Sequence, residues 1–195
     1  MAAVPSCPEL MRLFTRSQLS GLAATAIAVL GACDAPSTPQ TVGAAVVPSP
    51  QVENPLPDAV AATVARLREV AATGSYRDLA RMASETPDFR SNAGGMSHQD
   101  YWYLKLRTGD WPMAQVERLL SYRYALTETA QGKVYVWPWL ATLSGEEITP
   151  AAGRDIDRML GEGQADALRG GEIWPGYVLG IAEDGTWLYF VSGSG

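Results

Sequence analysis

The chain has 195 residues, with 15 Lys+Arg against 21 Asp+Glu and a net charge of −6. An acidic chain is a poor partner for nucleic acid or an anionic lipid surface, since both are gripped by cationic patches, so no nucleic-acid partner is expected. One histidine and two cysteines are too few for the common zinc sets, and no metal or other cofactor is expected.

Arg12 and Arg16 form a short basic segment, and Leu19 to Ala32 then runs 14 residues without a charge. Small residues follow, which is the layout of a secretory signal peptide. The run is shorter than the roughly 20 apolar residues a transmembrane helix needs. Residues 1–32 are therefore expected to be the signal; a start at Met11 gives a signal of ordinary length and leaves Cys7 without a role.

Leu30-Gly31-Ala32-Cys33 resembles the lipobox of bacterial lipoproteins: Leu at −3, small residues at −2 and −1, and the Cys at +1. The resemblance covers residues 11–33. It implies cleavage after Ala32, a diacylglyceryl group on the Cys33 sulfur, and acylation of the new terminus. Each buried CH₂ contributes ~0.8 kcal/mol and two chains suffice for stable anchoring, so a membrane partner would be reached through lipid on Cys33. The implied place is the periplasmic side of a bacterial cell envelope, and Asp34 resembles the inner-membrane retention signal of some lipoproteins. Loss of residues 1–32 removes Arg12, Arg16 and Glu9, leaving 13 basic and 20 acidic residues, a net −7. Cys33 is then the sole cysteine, and no disulfide can form.

Residues 33–57 hold the lipidated Cys and six prolines with almost no charge. Pro-rich chain is an extended spacer without donors for a helix or sheet, so this stretch reads as a tether. Residues 58–195 have the length of one ordinary globular domain.

Asp58 is expected to cap a helix running to Thr73, with Gly74 as its stop. Val60, Val64, Leu67 and Ala71 fall on one stripe. Ser75-Tyr76-Arg77-Asp78 reads as a capping box for a short helix carrying Leu79 and Met82. Pro87 and Asn92-Ala93-Gly94-Gly95 break the pattern. Ser97-His98-Gln99-Asp100 caps a third helix through Tyr101 to Leu106, and Asp110-Trp111-Pro112 starts a fourth whose apolar face is Met113, Val116, Leu119 and Leu120.

After Ser121 the period becomes two. Tyr124 to Thr129 and Lys133 to Trp139 read as strands about a Gln131-Gly132 turn. Thr149-Pro150 opens a helix whose buried face is Ile156, Met159 and Leu160, and Gly161, Gly163, Gly170 and Gly171 then break the chain. Tyr177 to Ala182 and Thr186 to Val191 flank Glu183-Asp184-Gly185 as a hairpin, with Gly180 leaving room for Trp187 or Tyr189. The expected class is α+β: N-terminal helices packed on a small antiparallel sheet of two hairpins, with a helical insertion between them. By element order alone, a cone of the nuclear-transport-factor-2 type is the alternative.

Catalytic residues do not emerge. Ser97, His98 and Asp100 are sequence neighbours and cannot place nucleophile, base and orienter in line, whereas a capping box explains Ser97 and Asp100. Asp155 and Asp157 point apart on a helix. Glu128, Glu146, Glu147 and Glu172 lie near strand ends without the spacing of a hydrolytic pair. Gly161-Glu162-Gly163 follows a helix and lacks the third glycine of a phosphate loop.

Aromatic residues stand out. The six Trp all lie in the mature chain, and a strand through Trp137-Pro138-Trp139 would put both indoles on one face, ~6–7 Å apart. Trp137, Trp139, Trp187 and Tyr189 are accordingly candidate ligand-binding residues, although large aromatics also serve as plugs in a small core. Two functional expectations follow. One is a non-enzymatic binding or structural module, lipid-anchored in the cell envelope, with an envelope protein or glycan as partner. The other is a small-molecule or glycan-binding or hydrolytic domain, with an aromatic pocket and a carboxylate of raised pKa.

Overall fold

A computed structural model describes residues 55–130 and 132–193. Cys33, Ala32, the rest of the expected signal, the tether up to residue 54, and Gln131 of the expected turn lie outside the described residues.

The described chain is α+β. Helix α1 is Asp58–Thr73, α2 Tyr76–Ser84, α3 His98–Arg107 and α4 Pro112–Ser121. Strands β1 (Ala125–Thr129) and β2 (Gly132–Trp137) form the first hairpin. Two 3₁₀ turns, Trp139–Thr142 and Gly145–Glu147, lead to helices α5 (Pro150–Leu160) and α6 (Gln164–Arg169). Strands β3 (Tyr177–Ala182) and β4 (Trp187–Ser192) form the second hairpin, and the sheet is an antiparallel meander in the order β1-β2-β3-β4.

Local chemistry sets the helix ends. Pro57, not Asp58, is the N-cap of α1; Asp58 occupies the first turn, where a carboxylate complements the free N–H groups without capping them. Gly74 at φ 68° closes α1 and donates its N–H to Ala71 O, a left-handed cap that glycine adopts without strain. Ser75 Oγ accepts from Asp78 N at 3.3 Å, and Ser97 Oγ accepts from Asp100 N at 3.1 Å. Pro112 and Pro150 sit at the first helical positions, where a missing N–H costs no hydrogen bond.

Two apolar cores lie on opposite faces of the sheet. The first gathers α1 to α4 (Val60, Leu67, Leu79, Trp102, Val116) against Tyr135, Trp137, Leu179, Ile181, Trp187 and Phe190. The second gathers Leu140, Ile148, Ile156, Leu168 and Trp174, with Val178 packed against it. Strand β3 thus sends Tyr177, Leu179 and Ile181 to one core and Val178 to the other. All of Val134 to Trp137 are buried: Tyr135 and Trp137 join the first core, and Val134 and Val136 are covered on the opposite face of β2.

The loop between α2 and α3 closes the far edge of β4. Arg90 N donates to Leu188 O at 3.0 Å and Arg90 O accepts from Phe190 N at 3.0 Å. Asn92 then brackets Ser192, with Nδ2 donating to its carbonyl at 3.0 Å and Oδ1 accepting from its N–H at 2.8 Å. The helical insertion contains one more helix than expected. Six-residue α6 lies among the glycines and is started by a distant group: Asp157 Oδ1 accepts from Ala165 N at 2.8 Å. Arg169 ties its other end to Ile148 O at 3.3 Å. In α5, Ile156 is fully buried while Met159 and Leu160 stay partly open.

Candidate functional site

Strand β2 ends at Trp137, two residues earlier than expected. Proline has no N–H to continue the ladder, and Trp139 begins a 3₁₀ turn held by its N–H to Arg123 O at 3.0 Å. The two indoles therefore do not share a face. Trp137 is 2% exposed in the first core, with Tyr124 at 5.5 Å between ring centroids. Trp139 is partly open and packs against the second core.

The other candidates are also separated. Trp187 is buried in the first core, tilted on Phe89 at 4.4 Å and stacked with Trp102 at 6.3 Å. Tyr189 lies on the opposite face of β4, over Gly180, with the Arg90 guanidinium 4.9 Å from its ring centroid. The structure thus does not bring Trp137, Trp139, Trp187 and Tyr189 together as one platform: Trp139 lines a cleft with a mixed apolar and cationic wall, while Trp187 borders a separate pocket of about 250 Å³ whose Arg66 is already paired with Glu85.

That cleft lies between the end of α4 and α5, with the Trp139 turn as its third side. Its volume is about 290 Å³. Tyr122, Trp139, Leu140 and Met159 give it an aromatic and apolar surface, while Arg123, Arg158 and Asp155 supply charge. Arg158 Nη1 pairs with Asp155 Oδ1 at 2.6 Å. The Arg123 side chain is exposed and has neither a hydrogen bond nor an ion pair among the described residues.

Arg118 straps the cleft's rear. Its Nε donates to Tyr122 Oη and its Nη2 to Met159 O, both at 2.9 Å, joining α4 to the end of α5. Behind the strap a second hollow of about 180 Å³ shares Tyr122 and Met159 and reaches Trp174, whose Nε1 is buried without a hydrogen-bond partner. An acidic chain has therefore gathered three arginines against one aspartate in a single place.

The remaining chemical candidates either have structural partners or lie exposed on the surface. His98 lies 2.8 Å from Ser91 Oγ, edge-on to Phe89 and stacked on Trp102; burial pushes its pKa below the ordinary value. Ser97 Oγ donates to Asp100 Oδ2 at 2.7 Å within the cap, while Ser91 is the partner of the His98 ring nitrogen. Glu147 closes a capping box with Ser144, and Glu128, Glu146 and Glu172 are exposed. Carboxyl groups with displaced pKa values move down, not up: Asp78 through Ser75 and Arg81, Glu85 through Arg66, and Asp184 through the Thr186 N–H. No group of three or more His, Cys, Asp or Glu side chains among the described residues could hold a metal ion.

Compared with known proteins, the chain matches no family model, no curated protein and no solved structure.

Proposed function

We propose that this chain is a bacterial cell-envelope lipoprotein, anchored through lipid on Cys33, whose folded part is a non-enzymatic binding module. The observation that carries this reading is the ordered succession of Arg12 and Arg16, the uncharged run Leu19 to Ala32, and Leu30-Gly31-Ala32-Cys33. No helix of the described residues is long and apolar enough to cross a membrane, so in this reading the acyl chains hold the protein to the bilayer. The cleft at Trp139 is the module's binding surface. Its support is chemical: apolar walls beside an unpaired guanidinium form the mixture by which small-ligand sites orient their occupants.

The test is acyl labelling in a bacterium expressing the full chain with labelled palmitate. The wild type should take up label and sediment with membranes. Cys33→Ser should do neither. An unlabelled wild type, or a Cys33→Ser chain that still partitions with membranes, overturns the anchor.

A further inference from the structure

We infer that the cleft between α4 and α5 binds a sugar that carries a carboxylate. The inference deepens the binding-module reading and rests on it for the role of the cleft, but not on the lipid anchor.

Three features select this chemistry. Trp139 and Tyr122 offer aromatic surface, and a pyranose presents a flat face of C–H bonds that stacks on such rings. Arg123 holds an unused guanidinium at the same opening, and its planar fork matches a carboxylate with two parallel hydrogen bonds. Asp155 and Arg158, already paired at 2.6 Å, present an acceptor and donors suited to ring hydroxyls.

Charge and size narrow the choice. The cleft wall carries Arg123 and Arg158 against Asp155, with Arg118 close behind, so an anion meets a local positive excess on a chain whose net charge is −6. About 290 Å³ stands at the small end of ligand sites, enough for a sugar ring rather than a polymer. A purely apolar ligand would leave Arg123 unanswered, and a bare inorganic anion would leave Trp139 and Tyr122 without a role.

The test is calorimetric titration of the purified full chain, in both the wild-type and Cys33→Ser forms, with three probes: N-acetylmuramic acid, N-acetylglucosamine and inorganic phosphate. N-Acetylmuramic acid should bind best. N-Acetylglucosamine, which lacks the carboxylate, should bind about ten- to a hundredfold more weakly, the scale of a charge-assisted hydrogen bond. Arg123→Gln should remove that advantage and bring N-acetylmuramic acid down to the neutral sugar's level, whereas Trp139→Leu should weaken both sugars. Arg123 is exposed, so its substitution leaves the fold intact; the thermal midpoint of Trp139→Leu, with Trp139→Tyr as the aromatic rescue, separates binding loss from unfolding.

Equal affinity for the two sugars overturns the inference, as does phosphate binding as tightly as N-acetylmuramic acid, no binding at all, or indifference to both substitutions. Binding by Cys33→Ser supports the cleft whatever the labelling experiment says of the anchor.

Discussion

The phenol ring of Tyr189 fills the space that a side chain at position 180 would need. Gly180 and Tyr189 face each other across β3 and β4, and a Cβ on Gly180 would overlap the ring at Cζ and Cε1 and lie 2.6 Å from its hydroxyl oxygen. The Arg90 guanidinium lies over the same ring, 4.9 Å from its centroid.

Gly180→Ala should therefore destabilise the domain by about 1–3 kcal/mol, the cost of forcing the half-buried Tyr189 ring off a buried strand position. Denaturant midpoints would measure it, and adding Tyr189→Leu to Gly180→Ala should recover part of the loss. Additive losses in the double variant would show that the clash lies elsewhere.

Arg118→Ala removes both bonds of the strap between α4 and the end of α5. Global stability should fall by roughly 1 kcal/mol, since the guanidinium is exposed and water replaces its partners. Amide exchange should rise in α5 and α6 while α1 keeps its protection. Unaltered exchange across residues 150–169 would contradict the strap.

Burial disfavours the imidazolium of His98 in the folded state, so its folded pKa lies below the ordinary 6.5. The unfolded chain then binds a proton more readily than the native one. The His98 contribution is complete above pH 6.5 and is lost as the pH falls from there through the folded pKa. Urea midpoints of the wild type and His98→Gln should converge over that interval. Parallel curves would contradict a displaced imidazole.

Tyr177 titrates in the opposite direction. Burial first, and then its hydrogen bond to Asp110 Oδ2 at 2.6 Å, raise its pKa well above the ordinary 10.0. Stability from the neutral phenol is complete below pH 10.0 and is lost as the pH rises toward the folded pKa. Tyr177→Phe should cost roughly 1 kcal/mol near neutrality, where Asp110 keeps Lys105 at 3.1 Å. It should also make the alkaline loss of stability shallower, followed by tyrosinate absorbance and unfolding together. Tyr76, Tyr101, Tyr124 and Tyr189 are raised as well, so the variant's loss should be reduced rather than abolished.

Elements whose cause is local were legible in the sequence. Ser75 and Ser97 bond to N–H groups three residues on, Pro112 and Pro150 open their helices, and Asp184-Gly185 turns between two alternating runs. Helix α6 was not legible because its cap comes from Asp157 on the preceding helix, which no window over its own residues contains. Trp139 could be singled out by its indole, but its partners could not. Tyr122 ends one helix, Arg158 lies on another, and only the packing of α5 beside α4 makes them neighbours. The expected aromatic platform failed at Pro138, where the ladder stops and the following residue leaves the strand.

The sheet has two outer strands, and they are guarded differently. Arg90 occupies the far side of β4 with both of its backbone groups, whereas β1 is the other outer strand, five residues long, with Glu128 and Thr129 exposed at its end. A short strand with a charged end offers an incoming chain little register to copy. An unguarded margin is where a second chain could add a strand. The backbone of Arg90 closes one margin of the sheet, and the charge of Glu128 marks the end of the other.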